Sequence, residues 1–187
     1  MKIRRLLREA VLKSLYAHEM GNEDLNEVIQ YTLKPGINDI LKNVKDSGSD
    51  DGISASDAEK FAVRLFRETV NQTDELDREI EPHLVHWEID RLAIVDKLAL
   101  RMAICEMVEF EDVPTKVTIN EAIEIAKKYS TGKSGKFVNG ILDSALQKLN
   151  SENRIHKMGR GLVEHSPNES RSDNTRHGDA MKSSSKS

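Results

Sequence analysis

The chain is 187 residues long and carries 28 Lys and Arg against 32 Asp and Glu, for a formal charge of −4. That length suits one domain with appendages and can bury a proper core. Its one cysteine, Cys105, excludes an intramolecular disulfide and most cysteine-based metal sites.

Ala, Leu, Ile, Lys, Glu and Asp dominate, aromatics are few and no strand-like alternation persists, so the expected class is all-α. The first predicted helix runs from Met1 to Met20, with Ile3, Leu6, Leu7, Ala10, Val11 and Leu15 as its apolar stripe. Arg4, Arg5, Arg8 and Lys13 fill the remaining arc with Tyr16. Leu12 stands among them, as it would if a partner covered it. Gly21 marks the helix end. Asn22 then caps a helix using Leu25, Val28, Ile29 and Leu33, which Pro35-Gly36 stops. Ile37, Ile40, Leu41 and Val44 suggest a further turn or two before a solvated loop from Asp46 to Gly52. Ser56 and Glu59 form a capping box for a helix striped by Phe61, Leu65, Phe66 and Val70. A break near Thr73 leads into Asp74–Glu81, ended by Pro82.

After Trp87, a central helix from about Asp90 to Phe110 is apolar around most of its circumference, the pattern of a helix buried in a bundle. Arg101 is its only charge between Leu98 and Cys105. It must snorkel, pair with a carboxylate or reach a surface where a ligand waits. Cys105 is small core filler, and Glu106 and Glu109 are expected to face solvent. Thr118 and Glu121 make a second capping box for a helix through Tyr129. The connector Ser130–Ser134 leads to the last helix, with Phe137, Val138, Ile141, Leu142, Ala145 and Leu149. A domain over 1–150 is followed by a polar tail, 151–187, expected to be disordered.

The charges are unevenly spread. Residues 1–20 carry five basic against two acidic groups and 116–150 carry six against three, while 21–115 carry ten against twenty-two. If the first and last helices pack side by side, their basic faces form one patch on an acidic body, where a nucleic acid is held. Lys133 and Lys136 make the mouth of the last helix basic, so its backbone N–H groups and its side chains present the same sign to an anion. Phe137 and Asn139 stand beside them, an arrangement suited to a phosphate-bearing chain with an unstacked base against the ring. As plain structure, Phe137 is core and the arginines of the first helix are a solvated face.

Other chemistry fails on spacing. Gly132-Lys133-Ser134 lacks the glycine of a phosphate loop, since Lys127 stands there and the preceding element is a helix. His83 and His86 have no further metal ligand nearby in sequence. The acids from Asp74 to Glu81 read as a solvated face, and no nucleophile–base arrangement occurs. No enzyme, metal or cofactor is expected. Arg4, Arg5 and Arg8 interrupt any apolar signal segment, and nothing approaches a membrane span of ~20 apolar residues, so a cytoplasmic protein is expected.

Four runs resemble the NusB family of bacterial transcription antitermination factors: Arg8–Tyr16, Asp96–Glu106, Asp112–Lys127 and Lys136–Asp143. The resemblance covers residues 1–150 and implies a compact bundle of about seven helices in two subdomains, with N-terminal helices packed on C-terminal ones. It implies a heterodimer with NusE, a small-subunit ribosomal protein, that holds single-stranded boxA RNA and helps RNA polymerase, with other Nus factors, read through terminators. By the same resemblance Arg4, Arg5, Arg8, Arg101, Lys136, Phe137 and Asn139 meet RNA, and the basic mouth of the last helix adds Lys133. Tyr16 and Asp96 meet the ribosomal protein, joined by Asp90 and Glu88.

This chain departs from the family in an expanded Lys34–Ala55 segment, the long tail and a more basic approach to the last helix. Two competing readings are a homodimeric scaffold that buries the basic arc, and an accessory module of an rRNA-modifying or ribosome-assembly complex. Salt separates the first, because RNA binding weakens steeply with it. On the sequence alone, Phe137→Ala and Arg8→Ala are expected to lower RNA affinity in a binding titration while leaving thermal unfolding nearly unchanged.

Overall fold

A computed structural model of the chain describes residues 2–48, 52–85 and 88–164. Its α-helices are α1 (Lys2–Gly21), α2 (Leu25–Val28), α3 (Lys34–Asp46), α4 (Ala55–Asn71), α5 (Thr73–Ile80), α6 (Ile94–Glu109), α7 (Thr115–Tyr129) and α8 (Ser134–Ser151). The turn Ile29–Leu33 joins α2 to α3 without a break, so the described residues form seven helical rods and no strand. The class is all-α, as expected. No described helix is long and apolar enough to cross a membrane.

Local chemistry sets the helix ends, often a residue or two from where spacing put them. Gly21 is the last residue of α1, and Asn22 takes the left-handed conformation (φ 51°) while its N–H bonds to the His18 carbonyl. Asp24, not Asn22, caps α2 by accepting from the N–H groups of Asn26 and Glu27. Pro35 does not stop the chain. The Lys34 N–H reaches back five residues to the Ile29 carbonyl, and this wider π turn accommodates the proline ring as α3 begins. Ser54 rather than Ser56 caps α4, with its hydroxyl accepting from the Asp57 N–H. Helix α7 starts at Thr115 behind Pro114, one turn ahead of the expected Thr118–Glu121 box, and Glu121 is engaged by Arg5.

Helix α6 is the axis of the molecule. Every residue from Leu98 to Met107 is buried, and α1, α4, α5, α7 and α8 all pack on it. The first and last helices do not share a seam: α1 lies on α3, α4 and α6, and α8 on α5, α6 and α7. Leu12 is buried as well, since α1 meets helices on several sides. Burial pushes the Cys105 thiol up to about 12, which leaves it a small apolar filler.

Glu106 does not face solvent. It is 1% exposed and accepts charge-assisted bonds from Arg8, itself 2% exposed: Nε to Oε2 at 2.9 Å and to Oε1 at 3.1 Å, and Nη2 to Oε1 at 2.6 Å. The Arg8 guanidinium also lies 5.4 Å from the centroid of the Phe61 ring. This pair joins α1 to α6 inside the core. Glu109 is half-buried and takes a bond from the Gln72 amide.

Packing continues past residue 150. Arg154 holds Glu79 and Glu75, the Lys157 ammonium donates to the Phe110 carbonyl, and the Met158 N–H bonds to the Glu111 carbonyl. Residues 152–162 thus form a strap across the C-terminal helices, where a disordered tail was expected. His86, Trp87, residues 49–51 of the expected loop and the tail from 165 onward lie outside the described residues.

Two expectations follow. Arg8→Ala, expected from the sequence to leave unfolding nearly unchanged, should instead lower the urea midpoint by the equivalent of about 3–5 kcal/mol, because Glu106 is left buried and unpaired. An Arg8→Met, Glu106→Leu double variant should recover most of that loss. Burial tends to raise the Glu79 carboxyl, yet Lys148 and Arg154 outweigh it and hold its pKa below the ordinary range. The stability it contributes is present above the unfolded value of about 4.3 and is lost as pH falls through the lower folded value. Hydrogen exchange in residues 152–158 should therefore rise on acidification below that range.

Candidate nucleic-acid interface

The expected site residues are distributed along the whole of α6, which at 16 residues is about 24 Å long. At its C-terminal end stand Arg4 and Arg8; at its N-terminal end stand Asp96, Ser134 and the mouth of α8. Each arginine on α1 meets a carboxylate. Arg4 Nη2 lies 3.2 Å from Asp112, and Arg5 binds Glu121 through two bonds of 2.7 and 2.9 Å. The bond and charge of Glu121 raise the Arg5 pKa. One turn on, Glu9 accepts from the Lys128 ammonium at 2.6 Å and the Tyr129 hydroxyl at 2.7 Å. Glu9, then Tyr129, raise the Lys128 pKa; burial and then Glu9 raise that of Tyr129. Lys13 follows, 5.8 Å from the Tyr129 ring centroid.

These pairs bridge α1 to α7 with long side chains, so a line of charge runs from Arg4 and Arg5 past Lys13 and Lys128 to the loop before α8. Lys127 and Lys128 were not among the expected residues. The basic last turn of α7 was the available signal. Gly135 brings Lys127 close, since a Cβ there would sit 2.7 Å from its Cγ.

At the mouth of α8 the geometry agrees with the sequence reading in part. Lys133 and Lys136 are exposed and form no ion pair among the described residues. Phe137 is half-buried against the core, so it is neither free nor enclosed. Asn139 is half-buried and donates to Asp143 at 2.8 Å. The Ser134 hydroxyl donates to Asp96 Oδ2 at 2.9 Å, while Asp96 Oδ1 is buried with no hydrogen-bond partner.

Two arginines are placed differently. Arg8 is sealed against Glu106. Arg101 is 4% exposed and binds Asp77 through two bonds of 2.6 Å, with Glu19 at 3.3 Å. Burial would lower the Arg101 pKa, but Asp77 and Glu19 more than offset it and raise it. Of the readings open to Arg101, pairing with carboxylates is the one realised. Neither guanidinium reaches solvent, and contact with a ligand would require leaving its carboxylates, at the cost of an uncompensated buried charge.

The expected protein-contact residues gather at the N-terminal end of α6. Tyr16 is 43% exposed, and Glu19, one turn further along α1, pairs with Lys97 beside Asp96 at 3.2 Å. Asp90 is exposed, and Glu88 is exposed with Arg91 at 3.3 Å. Among the described residues no group of His, Cys, Asp and Glu could hold a metal ion. His83 instead shares a hydrogen with the Ser144 hydroxyl at 2.8 Å.

The NusB family model matches residues 5–147. The transcription antitermination protein NusB of Salinibacter ruber is 42% identical over 163 residues, 87% of this chain and 92% of that protein. A structure of T. maritima NusB superposes with a TM-score of 0.58 at 38% identity, covering 78% of this chain and 91% of that one. A crystal structure of antitermination factors NusB and NusE in complex with dsRNA has a chain matching with a TM-score of 0.59 at 26% identity, over 79% of this chain and 98% of that one. With a matching family model, close relatives and a common fold over most of its length, this chain belongs to the NusB family.

Proposed function

We propose that the chain is a non-enzymatic, RNA-binding transcription antitermination factor that works with NusE. The heterodimer holds boxA RNA of nascent transcripts, such as ribosomal RNA leaders, and promotes read-through by RNA polymerase. The observation that carries this reading is membership of the family over residues 5–147, which span Arg5 and Arg8 of α1 and the mouth of α8. The relative solved with NusE and RNA supports both partners.

On this reading RNA follows the line of cations between α1 and α7. Arg4, Arg5 and the unpaired Lys133 and Lys136 meet phosphates, and Phe137 offers the exposed part of its ring to a base. Asn139 reads or positions the strand beside it. Arg8 and Arg101 act from beneath, by fixing α1, α5 and α6 relative to one another. The acids on the line, Glu9 and Glu121, hold the cations in place and lower affinity for arbitrary anions. Selectivity then depends on the base contacts and on NusE. Tyr16, Asp90 and Glu88 present the partner surface, and Asp96 holds the adjoining mouth of α8 through Ser134.

The test is fluorescence anisotropy of labelled boxA RNA against a scrambled control, with and without NusE. Tighter and selective binding in the presence of NusE is expected; equal binding of both RNAs, indifferent to NusE, would sink the reading. Phe137→Ala should weaken boxA binding by about 1–3 kcal/mol, the usual worth of one stacked base. Tyr16→Ala should weaken capture of NusE, measured by calorimetry, with little change in the melting temperature.

A further inference from the structure

A cleft of about 620 Å³ opens at the C-terminal end of α6, away from the mouth of α8. Its floor is the aromatic pair Phe61 and Phe110, set edge to face at 5.5 Å between centroids. Guanidiniums cover both rings: Arg4 lies 5.1 Å from the Phe61 centroid and Arg64 lies 4.5 Å from that of Phe110. Lys60 from α4 and Arg160 from the C-terminal strap complete the rim. These last two are exposed and have no carboxylate partner among the described residues, whereas Arg4 is matched by Asp112.

Arg160 is delivered there by structure and not by chance. The strap is fastened on its near side by Lys157 and by the Met158 N–H on Glu111. On its far side Gly161 lies so close to the Glu111 carbonyl that a Cβ would come within 2.1 Å of the oxygen, so only glycine fits. The family match ends at residue 147, so the strap adds a cation to a cleft that the matched region leaves open.

We propose that this cleft is a second RNA subsite, in which Lys60 and Arg160 hold the phosphates of nucleotides flanking the segment bound at α8. The rim cations suit a phosphodiester, the guanidinium planes of Arg4 and Arg64 laid on the rings offer a face to an inward-turned base, and a rim on which Lys60 and Arg160 outweigh Asp57 disfavours apolar occupants. The subsite rests on the RNA-binding reading above and extends the strand along the length of α6.

The experiment uses the full chain with NusE and a boxA RNA carrying flanking nucleotides on both sides, titrated over a range of salt. For the Lys60→Gln, Arg160→Gln double variant the log–log salt slope should become shallower by about 1.4, and affinity at about 0.2 M salt should fall roughly tenfold. The melting temperature should be unchanged, since neither side chain has a partner to lose. Wild-type affinity and slope in the double variant, alongside a loss in Lys136→Gln, would overturn the subsite and leave the RNA-binding reading standing. Absence of selective RNA binding by the wild type would overturn both. Weaker capture of NusE with unchanged RNA binding would instead assign the cleft to an acidic protein segment, and that too overturns the proposal.

Discussion

The pairing of Arg8 with Glu106 is the constraint on which the arrangement of this molecule depends. Two opposite charges are removed from water between α1 and α6, and each satisfies the other through short bonds. Charges buried in this way need not add stability over an apolar pair. They do restrict geometry, because any slip of α1 along α6 separates them. The register they impose carries Arg4 to Asp112, Arg5 to Glu121 and Glu9 to Lys128, so the surface line of charge is a consequence of the buried bond.

The same logic recurs at lower burial. Arg101 ties α6 to α5 through Asp77 and to α1 through Glu19, and Arg154 ties the strap to α5 through Glu79 and Glu75. Between these ties the core is apolar and α6 is enclosed on every side. Sites of two kinds then remain at the surface. Where cations are matched, at Arg4 and Arg5, a ligand meets a pre-positioned but nearly neutral face. Where they are unmatched, at Lys133, Lys136, Lys60 and Arg160, it meets net positive charge, and those positions stand at opposite ends of α6. A long polyanion can use both ends; a small anion can use only one.

Helix content and the enclosed state of α6 were legible in the sequence, since an apolar run without periodicity has only a bundle interior to occupy. The basic mouth of α8 was legible too, because Lys133 and Lys136 lie within one turn of its start. Helix ends were harder. Asn22, Ser56 and Thr118 are all competent caps, and Asp24, Ser54 and Pro114 took those places through neighbours that local spacing does not weigh. Pro35 misled for a related reason: a π turn let the helix continue through it.

What the sequence determined by itself was therefore the inventory: helices, an apolar axis, two basic regions on an acidic chain and the motifs of a family. Periodicity and composition are properties of neighbouring residues, and they survive without a fold. Only the tertiary structure decided which charges face water. Arg4, Arg5 and Arg8 lie on one helix, yet Arg8 alone meets Glu106, 98 positions away, and is sealed from solvent. The strap follows the same rule, since Arg160 reaches the cleft only because Lys157 and Gly161 find a carbonyl surface near residue 110. Whether a charged side chain is surface or core depends on partners far away in sequence, and only the packed chain brings them together.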